Sequence, residues 1–582
     1  MNVFDYITTE KNNWETVRVP ITGSYDWNMK EHIERCTNVA NGKFHTGKND
    51  GLRPYKDIVT PIVNVALRTE GFDVKDIIPY VNDSDNYHLS LIIKKYHPQW
   101  ARQNKIDTFI DEVTESSVVY DLALVKDVNG IRPELVKLQE IAFCDQSDIM
   151  SGPICLKHQY SIPEILEFKG KWDNEKIDLA IAMAKEENKV NQANDQTNKT
   201  PSKKIEVFEL RGTFTDDWLG GDPDKYTPQM HIVCFYKDKD GNKQGITLFQ
   251  SEDKPLSDRF KALVINKVFG RACGKSVVET LFEPQVWTNY SEIKIKEMLD
   301  SALNIFQTSS DDFGGQRIND LKLNTVLKHE DGKPITKVDG TLQNLIPVTN
   351  YQVGKENDAR VLGSASDAQL GTNPVSGTPF ALQNLVVQQG QGIHEYRQGK
   401  IATFFSDELY YDWILKYIVK EINDGKDFSE ELTMEEMNYV VEKIVKNNLK
   451  EQMADMMFKG EVVTPEIEEM MLTAERNKLK GEGSRVFFKE LKGSLKDIPV
   501  KVFVNIKGKQ KYMAQNVDKI TNIIREAINN PQAFSQIPGV GNLFNEMIED
   551  SGFNPVDFTE MITPVKQETQ TEQPQQVQQV IQ

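Results

Sequence analysis

From Thr378 to about Asn423, apolar side chains recur at helical spacing: Phe380, Leu382, Leu385, Val386, Ile393, Ile401, Phe404, Phe405, Leu409, Trp413, Ile414, Ile418 and Ile422. A continuous helix of that extent, at 1.5 Å per residue, reaches about 69 Å, well beyond the diameter of a small domain. The chain is therefore expected to be elongated or to take part of its core from neighbours. Gly390, Gly392 and Gly399 interrupt the run with poor helix formers and predict at least one kink.

The rest of the sequence supplies enough material for several modules. Its 582 residues are 39% hydrophobic and 27% charged, a soluble globular balance. Lys plus Arg number 69 against 87 Asp plus Glu, a net charge of −18, which excludes a basic surface built to clasp nucleic acid and leaves only a role in which DNA slides past. Five scattered cysteines, Cys36, Cys144, Cys155, Cys234 and Cys273, predict reduced thiols and no bridge. The first residues lack a basic start followed by an apolar run, and no stretch reaches the roughly 18 to 20 apolar residues of a membrane span, so neither a secretory signal nor membrane insertion is expected.

Residues 1 to about 160 read as mixed α/β, with strand-like runs at Ser117–Tyr120 and Leu122–Val125 and a turn at Asp127–Gly130. A helix capped by Asp173 carries Ile177, Ala180, Ile181 and Ala184 on one face, and Lys189–Lys204 is polar enough to predict a mobile loop. Ile205–Leu210, His231–Tyr236 and Gly245–Phe249 predict a small antiparallel sheet, with a turn over Lys237–Asn242. The loop Thr215–Tyr226 holds Asp216, Asp217, Trp218, Asp222 and Asp224, an acidic tip whose Trp218 either projects toward a partner or folds back onto its own sheet. Strand character resumes over Lys261–Phe269, and a helix runs from about Ser276 toward Phe306 with a break or bend at Pro284. After a second α/β stretch at 311–355, Gly354–Pro379 reads as a long loop with few apolar anchors. Helices are expected near 433–480 and 515–550, a strand pair joins Val500–Val504 to residues around Tyr512, and the Gln-rich tail at 566–582 reads as disordered.

Of the chemistry-bearing motifs, Gly270–Arg271–Ala272–Cys273–Gly274–Lys275–Ser276 is the sharpest. It lies between a strand and a helix and ends in the Gly-Lys-Ser of a phosphate loop, but its glycines are separated by three residues where four are needed to wrap backbone N–H groups around phosphates. The competing reading is a turn with Ser276 capping the following helix. Cys144, Cys155 and His158 lack a second Cys-His pair for zinc, no Gly-x-Ser-x-Gly elbow exists, and acidic runs such as Glu430–Glu431 read as solvated helix faces. No catalytic residue, metal or cofactor is expected.

In their order these parts resemble the portal proteins of tailed bacteriophages, the crAss-like branch among them. Phe269–Glu279, Leu281–Gln285 and Asn289 are similar to the family's turn from clip into stem helix, and Asn373–Leu382 is similar to its lead-in to the long wing helix. The resemblance implies an α+β, multi-domain, elongated subunit: a wing over 1–170, stem helices at 171–192 and 271–310, a clip at 193–270, a returning wing at 311–425, a crown-like helical region at 426–565 and the tail at 566–582. It implies a structural virion protein, not an enzyme: a homo-oligomeric ring, of about twelve copies, at one capsid vertex. Double-stranded DNA would pass through it, and the large terminase, the major capsid or scaffold protein and head–tail adaptors would dock on it. The same resemblance places 354–379 at the tunnel, with Lys355, Arg360, Ser364, Ser366 and Asn373 facing the channel, and the acidic tip at the docking surface. An ordinary surface loop is the other reading of 354–379. A phosphate-loop ATPase using 270–276, and a head or tail scaffold protein without a channel, are the alternatives.

Overall fold

The computed structural model describes residues 2–23, 25–42, 55–81, 87–128, 132–194, 204–237, 243–301, 305–307, 336–338, 345–365, 369–370, 380–423, 465–482, 500–504 and isolated positions between 445 and 459. The first compact unit ends at Val504. The expected helix at 515–550, the strand near Tyr512, the tail, the hairpin turn at 238–242 and most of 311–344 lie outside the described residues.

Chain order gives α1 (Val3–Thr16), β1 (Val19–Thr22), β2 (Tyr25–Trp27), α2 (Met29–Ala40), α3 (Val59–Glu70), β3 (Ile77–Val81), α4 (Tyr87–Gln103) and α5 (Ile106–Tyr120). There follow β4 (Ala123–Lys126), β5 (Glu134–Val136), β6 (Ile141–Phe143), β7 (Ile154–Tyr160), α6 (Ile162–Leu166), α7 (Asn174–Asn194), β8 (Ile205–Thr215), β9 (Tyr226–Lys237) and β10 (Lys243–Glu252). The fold is α+β. Its main sheet is antiparallel in the order β10-β9-β8-β7-β6, with β7 paired to β8 from Ile154↔Arg211 to Tyr160↔Ile205. The two segments that the sequence divides at 170 therefore share one sheet.

Strand alternation explains why both faces are covered. On one face Phe208, Leu210 and Phe214 meet α1, whose Val3, Ile7 and Trp14 form a buried stripe. Phe4 packs edge-on against Phe235 at 4.9 Å, and a methyl group on Gly245 would collide with the Phe4 ring. The opposite face sends Ile205, Val207, Ile232, Cys234 and Ile246 against Ile177, Ala180 and Ile181 of α7. That helix starts as expected, with Asp173 Oδ1 accepting the N–H groups of Glu175 and Lys176 at 3.1 and 3.3 Å. It extends to Asn194, so the first part of the predicted 189–204 loop is helical.

After β10 come α8 (Leu256–Arg259), β11 (Phe260–Leu263), α9 (Val277–Ser301), β12 (Ile305–Gln307), β13 (Thr336–Val338), α10 (Leu345–Leu362) and α11 (Phe380–Thr403). A π-helical segment, Phe404–Ile414, leads into α12 (Leu415–Asn423); α13 (Pro465–Glu482) and β14 (Val500–Val504) follow. The second sheet runs β11-β4-β5. It is joined to the first by Lys126 and Glu209, 2.7 Å apart, and by Arg259 and Asp253, also 2.7 Å apart. Burial alone would raise the Glu209 carboxyl, but Lys126, His158 and Arg211 together hold it well below the usual carboxylate range.

Five expectations need correction. Ser117–Tyr120 ends α5 and is not a strand: its β-branched residues continue a helix that already buries Ile106, Phe109, Ile110 and Val113, and packing overrides local propensity. The strand predicted over 261–269 stops at Leu263, and α9 continues through Pro284 without a break. The long helical run is continuous from Phe380 to Asn423, but its irregularity falls at Phe404–Ile414 rather than at the glycines. There Phe404 and Phe405, Leu409 and Tyr410, and Trp413 and Ile414 are buried in pairs, a spacing that suits i→i+5 bonding better than i→i+4. Residues 354–362 of the supposed loop are helical, as part of α10, because Ala359 is buried in a core with Ile62 and Val278 and Gln352 bonds Glu292 at 2.6 Å. The expected strand at Val500–Val504 is present and pairs antiparallel with β3, from Val500↔Val81 to Val504↔Ile77.

Candidate functional site

The Gly270–Ser276 segment leads into α9, and four of its seven backbone donors are already used. The N–H groups of Arg271, Ala272, Gly274 and Lys275 donate to the carbonyls of Val268, Gln146, Asp121 and Asn266, at 3.5, 2.8, 3.3 and 3.0 Å. Ser276 is fully buried, and its Oγ accepts the Glu279 N–H at 2.9 Å, so it caps the helix. Arg271 is also buried. Its guanidinium forks onto Glu279 with bonds of 2.9 and 2.7 Å, reaches the Gly274 carbonyl at 2.9 Å, and lies over Trp27. Any side chain on Gly274 would collide with the Asp121 carboxylate. Lys275 alone points to solvent. The segment is chemically a clamp holding α9 to the core, not an open nest of N–H groups.

Next to the clamp lies a buried ionic node that ties α11 to α3 and α5. Arg397 Nε donates to both oxygens of Glu70 at 2.9 Å, its Nη2 to the Ser117 carbonyl at 3.0 Å, and its Nη1 to Asp121 at 3.3 Å. His394 Nδ1 lies 2.9 Å from Glu70, and its Nε2 is buried with no hydrogen-bond partner among the described residues. Asp121 closes α5 in the left-handed conformation, φ +50°, and accepts the Asn266 N–H at 2.7 Å. Burial dominates Asp121: it outweighs Arg397 and Asn266 and raises the carboxyl to about 6.

At the sheet tip the structure takes the second of the two expected arrangements for Trp218. Its ring stacks on Phe214, with centroids 4.8 Å apart, and meets Tyr6 and His231 edge-on at 5.6 and 5.4 Å. An exposed docking anchor at Trp218 is thereby corrected, because the apolar face of the sheet offers the indole more contact than solvent does. Trp218 is half-buried, whereas Asp216 is buried and accepts the Thr227 hydroxyl. Asp217, Asp222 and Asp224 stay exposed, next to an exposed Tyr226. His231 is buried at the base of the tip against Gln229, and burial lowers it to about 4.

Of the residues assigned to a channel, Lys355 and Arg360 lie on α10 rather than on a loop. Lys355 is 3.3 Å from Asp358 and lies over the Tyr351 ring. Ser364 follows Gly363 at the end of α10 with φ +53°, while Ser366 and Asn373 lie outside the described residues. The Ser276 cap was expected; the Arg271–Glu279 pairing and the node were missed. Ser276 followed by Glu279 is a local capping signal, whereas Glu70, Asp121, His394 and Arg397 meet only in the folded chain.

Among the described residues no group of three His, Cys, Asp or Glu side chains converges as a metal-ligand set, and no helix is long and apolar enough to cross a membrane. No known protein family matches this chain, and no curated protein is detectably similar to it.

Proposed function

We propose that this chain is a structural, ring-forming subunit of the portal kind, sited at one capsid vertex, through which double-stranded DNA is packaged and ejected. The observation that carries the reading is the apolar surface left uncovered along successive helices. Trp287, Tyr290 and Leu299 on α9, and Ile346, Tyr351 and Val361 on α10, are each at least 40% exposed. Trp287 meets Tyr351 edge-to-face, so the patch is continuous across both helices. Scattered exposed hydrophobics are ordinary, but a patch of this kind marks a surface that neighbouring subunits complete. The order α7, β8–β10, α9 supports the same reading, as does the net charge of −18, which in a ring gives a wall that DNA can slide past.

The used N–H groups of the clamp weigh against an ATPase, so the work of translocation falls to a separate motor. Asp217, Asp222 and Asp224 are the surface on which that motor or an adaptor docks. Negative-stain images and mass photometry of the purified chain test the proposal: rings with a central hole are expected. Stable monomers, filaments or closed shells would overturn it. ATP turnover that disappears in Lys275→Ala would favour the ATPase instead.

A further inference from the structure

In this acidic chain four lysines close around one recess. Lys11 comes from α1, Lys157 from β7, Lys204 from just before β8 and Lys243 from the start of β10, and the space between them is about 290 Å³. Cross-strand pairing of Lys157 with Phe208 and of Glu206 with Phe235 puts these side chains on the α1 face of the sheet. Lys11 is half-buried over the Phe208 ring, 5.4 Å from its centre. Burial, then repulsion from Lys157 and Lys243, lowers its ammonium below the usual range. Two carboxylates face the group: Glu206, 2.8 Å from Lys157, and Glu15, itself held 3.0 Å from Lys30. Phe235 supplies an apolar wall on that face, and Ala180 and Ala184 of α7 line the part of the recess that lies on the other face of the sheet.

We propose that this recess binds a small phosphate-bearing anion carrying two or more negative charges. Like charges gathered at one concavity repel unless a counter-charge sits among them, and Glu206 is the one carboxylate lining the recess. Lysine ammonium groups bind phosphate as point charges from several directions, and the recess is near the lower size limit of small-molecule sites. A duplex needs an extended basic stripe, whereas this basic group is local on an acidic chain, which favours a small anion over DNA. The inference stands independently of the ring reading.

The test is calorimetric titration of the full chain with tripolyphosphate at about 0.05 M and about 0.3 M salt, with circular dichroism to confirm folding. Saturable binding at one site per chain, weakened by salt, is expected. Lys243→Glu, at an exposed position, and Lys11→Met, which keeps an apolar stem over Phe208, should each weaken it at least about tenfold, or about 1.4 kcal/mol. Lys75→Glu, on a side chain 74% exposed and outside the recess, should change it less than about twofold. Absence of saturable binding below about 5 mM would overturn the proposal, as would equal losses in all three variants. Duplex DNA binding with the same lysine dependence at equal phosphate concentration would also overturn it.

Discussion

Asp121 is buried, and burial outweighs the guanidinium it shares with Glu70, so its proton is retained to a higher pH than in the unfolded chain. A carboxyl raised from 3.8 to about 6 favours folding when protonated, and that contribution is lost as pH rises from about 4 to about 6. The loss amounts to at most about 3 kcal/mol. The unfolding free energy of wild type minus that of Asp121→Asn, measured by denaturant unfolding, should therefore fall as pH rises through that window; a flat or rising value would contradict it. His32, His97 and His231 have the opposite sign. Burial lowers each to about 4, so they favour folding when neutral, and their contribution is lost as pH falls from about 6.5 to about 4. In NMR titrations the His97 ring, 2.9 Å from the Tyr410 hydroxyl, should remain neutral well below pH 6.5. Gly274→Ala should cost roughly 3 kcal/mol or more, seen as a lower denaturation midpoint, because Asp121 and the Asn266 carbonyl leave no room for a methyl group. The Asp173 cap, whose partners lie two and three residues away, was legible in the sequence. The pairing of Glu70 and Asp121 with Arg397 was not, since no local pattern records which distant charges will be buried together.

For single elements, legibility followed how far the pattern was local. Strands β8, β9 and β10 and the long helical run show their periodicity directly, and all are present; β7 and β6, which extend the same sheet, were not read. Helix α10 was hidden because its burial is carried by Ala359 and Gln352, neither of which reads as an apolar anchor. The shift of the irregularity from the glycines to Phe404–Ile414 arises from paired aromatic and aliphatic side chains seeking one core. Trp218 gives a measurable consequence. As a ring stacked on Phe214, its loss in Trp218→Ala should lower stability by about 2 kcal/mol, whereas a projecting anchor would leave thermal unfolding unchanged.

Over the whole molecule, composition already excluded a tight nucleic-acid clasp, but neither the lysine recess nor the uncovered surface on α9 and α10 could be read from it. Both depend on which elements lie side by side. The pairing of β14 with β3 has a consequence in time. The strand at Ile77–Val81 leaves the ribosome early, yet its partner at Val500–Val504 is among the last segments of this unit to be made. At about 5–20 residues per second, the first strand waits roughly twenty to eighty seconds with its edge open. During synthesis it is thus an unpaired template, the situation in which chains associate wrongly or recruit a chaperone. A chain truncated after Pro499 would make that interval permanent, and light scattering should show it associating with rising concentration while the full chain does not.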